Sequence, residues 1–197
     1  MKKKIYIVRH GQTQFNVEKR CQGWKDSPLT QKGREQAKKV RDYFQKKGIT
    51  FDHAYSSDLS RAIDTMQIIA PIQVPQYTSQ ALREMSFGKY DGWKHTDIPV
   101  EDRMNFFKSV GGETYEEAIV RVFRLILHVM KQNDHHSVLF VTHGIPVSGL
   151  FRSLPRKKGI LDPKDFRNGC ILEYEMKGEE MMLVDFIQTE KEPFHHV

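Results

Sequence analysis

An arginine and a histidine follow the first apolar run of the chain, and together they could carry out phosphate chemistry. The run covers residues 5–8, and Arg9, His10 and Gly11 come directly after it. A histidine can attack phosphorus as a nucleophile, while an arginine guanidinium holds the phosphoryl oxygens. The tripeptide alone is equally compatible with an exposed arginine beside a hydrogen-bonded histidine. The hypothesis therefore depends on whether other segments supply groups of the same chemistry.

Two further segments place polar residues at the end of a predicted strand. Residues 56–61 follow one apolar stretch and end in Arg61, and His143 and Gly144 follow another. In a parallel sheet, ligands bind beyond the carboxyl ends of the strands. Three independent segments thus direct functional side chains to one edge of the predicted sheet. This convergence favours a functional interpretation of each segment over a purely structural one.

A phosphoryl group carries negative charge on three oxygens and needs several fixed hydrogen-bond donors. The candidate donors are Arg9, Arg61, His143, Asn16 and Gln22. Arg61 falls in the first turn of a predicted helix, where backbone N–H groups and the helix dipole also favour an anion. Taken singly, Arg61 could be a solvated surface charge, and His143 could be a hydrogen-bonded histidine at the edge of the core.

Glu84 is the candidate general acid. A leaving alkoxide needs a proton, and a carboxylic acid can supply it where its surroundings keep it protonated. Glu84 lies in an irregular segment before Phe87 and Gly88. Without a family resemblance, an exposed glutamate paired with Arg83 is the simpler interpretation of this residue.

The spacing of apolar residues predicts alternating strands and helices. The predicted strands cover residues 4–8, 51–56, 138–142, 171–176 and 182–187, and the last two form a hairpin around residues 177–179. The predicted helices run from Thr30 to Gly48, from a cap at Ser57 or Asp58 to Pro71, from a capping box at Thr114 to about residue 132, and onward from near Pro146. Residues 72–113 are the least regular. This order is typical of an α/β fold with a mainly parallel central sheet.

Length and composition indicate a single domain over residues 1–197. The apolar runs are too short to span a membrane, and the start of the chain does not read as a secretory signal, so we expect a cytoplasmic protein. The two cysteines show neither metal-ligand spacing nor a disulfide framework. The net charge of +6 is mostly spread along predicted helices, and the short basic run at residues 156–158 lacks interleaved aromatic residues, which argues against nucleic-acid binding. A mildly basic surface suits an enzyme with anionic substrates.

Residues 7–16, with the sequence IVRHGQTQFN, resemble the signature of the phosphoglycerate mutase-like histidine phosphatases. Further segments resemble the family in the same order along the chain: 20–23, 29–33, 56–62, 82–84, 87–88, 91–93, 111–114, 142–144 and 168–171. One position departs from the pattern, since Thr114 stands where serine is commoner, and a helix N-cap tolerates that change.

The resemblance implies a three-layer α/β/α sandwich and a specific role for each candidate residue. His10 would become a phosphohistidine, and Glu84 would protonate the leaving oxygen and then activate water. Arg9, Arg61 and His143 would bind the transferring group. The substrate-binding set would be Asn16, Gln22, Gly23 and Gly144. Neither a metal nor another cofactor is implied, because the arginines and the histidine supply the positive charge.

The resemblance covers both phosphatases and cofactor-dependent phosphoglycerate mutases. Family mutases resemble one another in a longer segment with lysine and paired arginines, whereas residues 93–111 are short and contain Lys94, Arg103 and Lys108 without an arginine pair. The sequence therefore predicts a phosphomonoester hydrolase for small phosphorylated metabolites, either monomeric or homodimeric. A mutase and a non-catalytic phospholigand-binding protein are the alternatives.

Three other features have two interpretations each. The aromatic residues Tyr90, Trp93, Phe106 and Phe107 could line the mouth of the site or cover the core. Cys21 could make the enzyme sensitive to oxidants or could be a small apolar residue. The histidine pairs 135–136 and 195–196 resemble metal ligands, although solvated surface histidines are the simpler interpretation.

Overall fold

The computed structural model of the protein describes residues 2–99 and 106–190. Its strands are β1 Lys3–Arg9, β2 His53–Ser56, β3 Gln76–Thr78, β4 Ser137–Thr142, β5 Ile171–Lys177 and β6 Glu180–Ile187. Its helices are α1 Gln14–Val17, α2 Gln31–Lys46, α3 Ser60–Ile69, α4 Phe106–Ser109, α5 Tyr115–Met130 and α6 Gly144–Ser153. The strands form one six-stranded sheet in the order β3-β2-β4-β1-β5-β6.

The sheet is mainly parallel, as predicted. Strands β1 to β4 run in the same direction, with β1 beside β4, β4 beside β2, and β2 beside β3. Strand β5 is antiparallel to β1, and β6 turns back against β5 to complete the predicted hairpin. The carboxyl ends of β1 and β4 are therefore adjacent in the middle of the sheet, where Arg9 pairs with Thr142.

The two faces of the sheet carry separate apolar cores. Along β1, Ile5 and Ile7 pack into the core beneath α5 and α6, whereas Tyr6 and Val8 pack into the core beneath α2 and α3. Side chains on a strand alternate between its faces, so a continuous apolar run is what a strand covered on both sides requires. The α/β/α arrangement in three layers is confirmed.

Two helix starts show how sequence patterns succeed and fail. The capping box at Thr114 is confirmed, because its hydroxyl accepts the Glu117 N–H and the Glu117 carboxylate accepts the Thr114 N–H. The predicted cap of α3 at Ser57 or Asp58 is wrong. Helix α3 begins at Ser60, whose N–H donates to the Asp26 carboxylate at 2.6 Å. This partner lies 34 residues away in sequence and leaves no local signal.

The irregular segment contains one strand that the sequence pattern missed. Strand β3 is short and largely exposed at the edge of the sheet, so it shows no apolar alternation. The other described parts of this segment contain the single 3₁₀ turns Gln80–Leu82, Gly88–Tyr90 and His95–Asp97 and the helix α4. Across residues 2–99 and 106–190, no helix is long and apolar enough to cross a membrane.

The interpretation of residues 135–136 as solvated surface histidines is half wrong. His135 is buried, with its ring stacked on that of His53, and only His136 is exposed. A buried partner on a distant strand cannot be recognised from the adjacent pair. The second pair, residues 195–196, lies outside the described residues.

Candidate active site

A pocket of about 350 Å³ opens at the carboxyl ends of β1 and β4. The strand ends are tied together here, since the His10 N–H donates to the Thr142 carbonyl at 2.9 Å. The loop after β1 also packs tightly against the start of α2, and a side chain at Gly33 would lie 2.0 Å from the Gln12 carbonyl oxygen. Close backbone contact thus fixes the position of His10.

His10 has its two ring nitrogens in different roles. Nδ1 lies 2.7 Å from the carbonyl oxygen of Gly11, which can only accept, so Nδ1 carries the proton and Nε2 keeps its lone pair. The ring is buried, and burial lowers the pKa of His10 well below the usual histidine value, with the charges of Arg61 and Arg9 adding to the effect. His10 is therefore a neutral imidazole with a free nucleophilic nitrogen.

His143 has the opposite tautomer. Its Nδ1 accepts the Nε–H of Arg61 at 3.2 Å, and a guanidinium can only donate, so the proton lies on Nε2. Among the described residues, this buried Nε2 has no hydrogen-bond partner. Burial, followed by the charge of Arg61, also lowers the pKa of His143 well below its usual value. The ring lies edge-on to His10 at a centroid distance of 5.0 Å, which gives the site an unused N–H donor beside the nucleophile.

Arg61 is fully buried and held by a set of carbonyl groups. Nη1 donates to the Lys25 carbonyl at 2.8 Å and to Asp26 at 3.3 Å, and Nη2 donates to the Gly23 carbonyl at 2.8 Å. The alternative of a solvated surface charge is excluded. With Nε directed at His143, these contacts use four of the five guanidinium N–H groups, so Arg61 both orients His143 and retains one donor.

Arg9 and Gly144 fit against each other. The Arg9 Nη1 group donates to the Phe166 carbonyl, while its Nε is buried without a partner among the residues of the described ranges. A Cβ atom on Gly144 would lie 3.3 Å from the guanidinium carbon of Arg9. A larger residue at 144 would therefore displace the guanidinium. A buried donor without an acceptor is uncommon in proteins, and a phosphoryl oxygen would satisfy it.

Asn16 and Gln22 present their amide groups to the same pocket. The Asn16 Oδ1 accepts from the backbone N–H of Thr13 at 3.0 Å and from Asn168 at 3.3 Å. The Gln22 Oε1 accepts from the Thr13 hydroxyl at 2.9 Å. Since both carbonyl oxygens are occupied, the two NH₂ groups remain available as donors.

Glu84 approaches the first turn of α6. Its carboxylate accepts the N–H groups of Gly144 at 3.0 Å, Ile145 at 3.2 Å and Met85 at 2.9 Å. Burial raises the pKa of Glu84, although the Met85 N–H and the charge of Arg9 act in the opposite direction. A raised pKa favours the protonated form that a general acid requires.

The simpler interpretation of Glu84, an exposed partner of Arg83, is wrong. Arg83 instead forms a two-pronged ion pair with Asp58, with contacts of 2.7 and 2.6 Å. The backbone at Glu84 is held from two sides, since its carbonyl accepts the Trp24 indole N–H at 2.9 Å and the Arg121 guanidinium at 3.2 Å. The side chain is therefore fixed at the pocket.

Seven of the nine predicted site residues line the pocket: Arg9, His10, Asn16, Gln22, Arg61, Glu84 and Gly144. The other two, His143 and Gly23, are not among the lining residues, and the His143 Nδ1 and the Gly23 carbonyl both accept from Arg61. The catalytic and binding roles of all nine residues remain predictions. None of the four predicted aromatic residues lines the pocket, and Tyr90 and Phe107 belong to a small separate core.

Sequence reasoning missed several supporting residues. Thr65 accepts the Gly11 N–H at 3.1 Å, and the Asn168 amide donates to the His10 carbonyl at 2.9 Å. The Arg121 guanidinium donates to the backbone carbonyls of Ala81, Arg83 and Glu84. The outer wall, also missed, comprises Arg20, Phe87, His95, Ile145, Ser148, Arg152 and Phe166, together with Cys21. Arg20, Cys21, Phe87 and Asn168 lie in segments that resemble the family, and that resemblance could have indicated them. Thr65 and Arg121 bind backbone groups far away in the sequence, which leaves no local signal.

Comparison with known proteins identifies the family of this chain. The sequence model of the histidine phosphatase superfamily (branch 1) matches residues 5–189. A relative from Citrobacter koseri named "Probable phosphoglycerate mutase GpmB" is 35% identical over 161 residues, which cover 76% of this chain and 74% of that protein.

Two solved structures extend the comparison. YhfR from Bacillus stearothermophilus has a TM-score of 0.78 at 28% identity, covering 91% of this chain and 94% of its own. A putative alpha-ribazole-5'-P phosphatase from Escherichia coli also has a TM-score of 0.78, at 25% identity, with 95% and 97% of the two chains covered. The protein described here is therefore a member of the histidine phosphatase superfamily, branch 1.

Proposed function

We propose that this protein hydrolyses small phosphomonoesters, without a metal ion, through a phosphohistidine at His10. One observation carries the proposal. The nucleophilic Nε2 of His10 is free because Nδ1 is engaged by the Gly11 carbonyl, and the His143 ring lies edge-on to the His10 ring. Arg9 Nε and His143 Nε2 are buried donors that have no acceptor among the described residues. A neutral nucleophile among fixed donors is the arrangement that phosphoryl transfer needs.

The reaction has two balanced steps. In the first, His10 Nε2 attacks phosphorus, the bond from phosphorus to the leaving oxygen breaks, and protonated Glu84 gives its proton to that oxygen. In the second, the Glu84 carboxylate takes a proton from water, the water oxygen attacks phosphorus, and the P–N bond breaks. Inorganic phosphate leaves, and both residues return to their starting states. Arg9 and Arg61 offset the negative charge on the phosphoryl oxygens throughout.

The outer wall of the pocket supports a small, partly apolar leaving group. Phe87, Ile145 and Phe166 provide apolar surface. The two arginines of the same wall are ion-paired, Arg20 with Glu18 at 2.6 Å and Arg152 with Asp162 at 3.4 Å. A pocket of about 350 Å³ has room for a compact metabolite. The likeness to the putative alpha-ribazole-5'-P phosphatase, a protein named for a phosphomonoester, is consistent with this class.

The hydrolase is favoured over the mutase by the cations of residues 93–111. A mutase must bind the second anionic group of a phosphoglycerate, but Lys108 is paired with Glu117 at 2.7 Å, and Lys94 is not among the residues that line the pocket. Arg103 lies outside the described residues. The mutase remains the second candidate because the relative from Citrobacter koseri carries that name.

A panel assay separates these functions. We would measure phosphate release from an aryl phosphate, phosphosugars, nucleotides and phosphoserine in EDTA, alongside interconversion of 3- and 2-phosphoglycerate. His10→Ala tests the nucleophile, and His136→Ala serves as a control at an exposed histidine. We expect hydrolysis that His10→Ala abolishes and His136→Ala preserves, with little interconversion. Dominant interconversion would establish the mutase, and the absence of both activities would favour a phospholigand-binding protein.

A further inference from the structure

A second cluster of titratable side chains lies at the amino ends of β2 and β4, the opposite end of these strands from the active site. His53 is the first residue of β2, and Asp134 and His135 lie in the turn before β4. Strand β4 spans six residues from this turn to the active-site edge, a distance of about 20 Å at the usual rise per residue. The cluster takes no part in the chemistry proposed above.

The three side chains converge on a single point. Asp134 Oδ1 lies 2.7 Å from His135 Nδ1, and Asp134 Oδ2 lies 3.6 Å from His53 Nε2. One ligand atom from each residue lies within 4.8 Å of the other two, and no other group of this kind occurs in the described ranges. The two imidazole rings are nearly parallel, with centroids 3.7 Å apart. The His135 Nδ1 and the His53 Nε2 therefore face the same carboxylate, that of Asp134.

The second nitrogen of each ring, Nδ1 of His53 and Nε2 of His135, contacts a polar group of another residue. His53 Nδ1 lies 3.3 Å from a carboxylate oxygen of Asp52, and the second oxygen of that carboxylate accepts the Ser137 N–H at 2.8 Å. His135 Nε2 lies 2.8 Å from the Tyr55 hydroxyl. Histidines that bind metals usually have their second nitrogen held in this way, by a carboxylate or another polar group.

The contact between His53 and Asp134 has the geometry of two ligands rather than of a hydrogen bond. A carboxylate can only accept, so the contact with Asp52 places a proton on His53 Nδ1 and directs the Nε2 lone pair at an Asp134 oxygen 3.6 Å away. This distance exceeds that of a hydrogen bond. A cation between the two atoms would be bound by both.

We propose that His53, Asp134 and His135 form a transition-metal site suited to Zn²⁺, with water completing the coordination. Imidazole nitrogens with one carboxylate oxygen are typical ligands of this ion. Asp134 is 72% exposed at its side chain, so the ion can enter from solvent. Binding would link the turn before β4 to the start of β2 and would stabilise the folded state.

The test is a Co²⁺ and Zn²⁺ titration of the 197-residue chain, followed by the visible absorption of Co²⁺. All proteins would carry His195→Ala and His196→Ala, because that second histidine pair could bind metal independently. Asp134→Asn and His53→Gln remove one ligand each, and His136→Ala is the control at the neighbouring exposed histidine. Asp134→Asn changes an exposed side chain, so its far-ultraviolet circular dichroism should match that of the parent.

We expect one Co²⁺ to bind per chain and to be displaced by Zn²⁺. The affinity for Co²⁺ should be at least tenfold weaker in Asp134→Asn and in His53→Gln, because each variant lacks one of the three ligands. His136→Ala should bind like the parent, and hydrolysis in EDTA should match that of the metal-loaded protein. Equal affinity in parent and Asp134→Asn would overturn the proposal. Absence of binding at millimolar metal would also overturn it.

Discussion

The two buried histidines of the active site should make folding stability depend on pH. Burial lowers the pKa of His10 and of His143 well below the usual histidine value, and the charges of Arg61 and Arg9 contribute. In the unfolded chain, both side chains regain a pKa of about 6.5. The unfolded state therefore binds more protons as the pH falls below that value. By linkage, acidification stabilises the unfolded state relative to the native one.

The magnitude follows from the same linkage. For a histidine that stays neutral in the native state, lowering the pH from about 7.5 to about 5 reduces the free energy of unfolding by roughly 2 kcal/mol. Two such histidines lower it by roughly 4 kcal/mol over this range, a large share of the stability of a typical domain. Carboxylates add their own pH dependence, but that part is common to the parent and the variants.

Urea unfolding between about pH 5 and 7.5 would measure this effect in a buffer without phosphate, since a bound anion would stabilise the protonated rings. The variants are His10→Gln, His143→Gln and the double variant, because the two rings are in contact and single changes need not add. His128→Gln is the control, since His128 is exposed.

We expect each active-site variant to lose about half of the histidine-dependent change, or roughly 2 kcal/mol over the range. The control should reproduce the parent curve. An identical pH dependence in the parent and the double variant would refute the assignment of His10 and His143 as neutral buried groups. It would also remove the basis for a neutral nucleophile at ordinary pH.

Three further changes test the framework of the site. Glu84→Gln should reduce hydrolysis of alkyl phosphates about 10²–10⁴-fold, the usual contribution of general acid–base catalysis, and steady-state kinetics would show an unchanged KM. Gly33→Ala should lower the free energy of unfolding, measured in urea, by about 1–3 kcal/mol, because its Cβ would lie 2.0 Å from the Gln12 carbonyl oxygen. This loss should outweigh the better helix propensity of alanine. An unchanged free energy of unfolding would contradict the close packing at Gly33. Glu117→Ala should lower the stability measured by urea unfolding by more than Glu116→Ala does, because only Glu117 completes the capping box, and equal effects would refute the role of the cap.

The parts of the fold that could be predicted are those with local physical causes. The apolar runs of β1 and β4 reflect burial on both faces, and the box at Thr114 reflects contacts within one helical turn. The positions of His10 and His143 at the ends of these strands follow from the same patterns. Local chemistry was enough to direct these side chains to one edge of the sheet.

The rest depended on contacts between distant parts of the chain. The tautomer of His143 is set by Arg61, 82 residues earlier, and the cap of α3 comes from Asp26 in a preceding loop. In the proposed metal site, the ring of His135 stacks on that of His53 rather than on that of its sequence neighbour His136. Such pairings appear only once the sheet brings β2 and β4 together.

The most direct test of the account is detection of the phosphohistidine itself. The Glu84→Gln enzyme would be mixed with an aryl phosphate, whose leaving group needs little acid assistance, and quenched in base, where phosphohistidine is stable. We expect one phosphoryl group per chain, located by mass spectrometry on His10 and absent from His10→Ala. Continued phosphate release by His10→Ala, or a phosphoryl group on another residue, would contradict it.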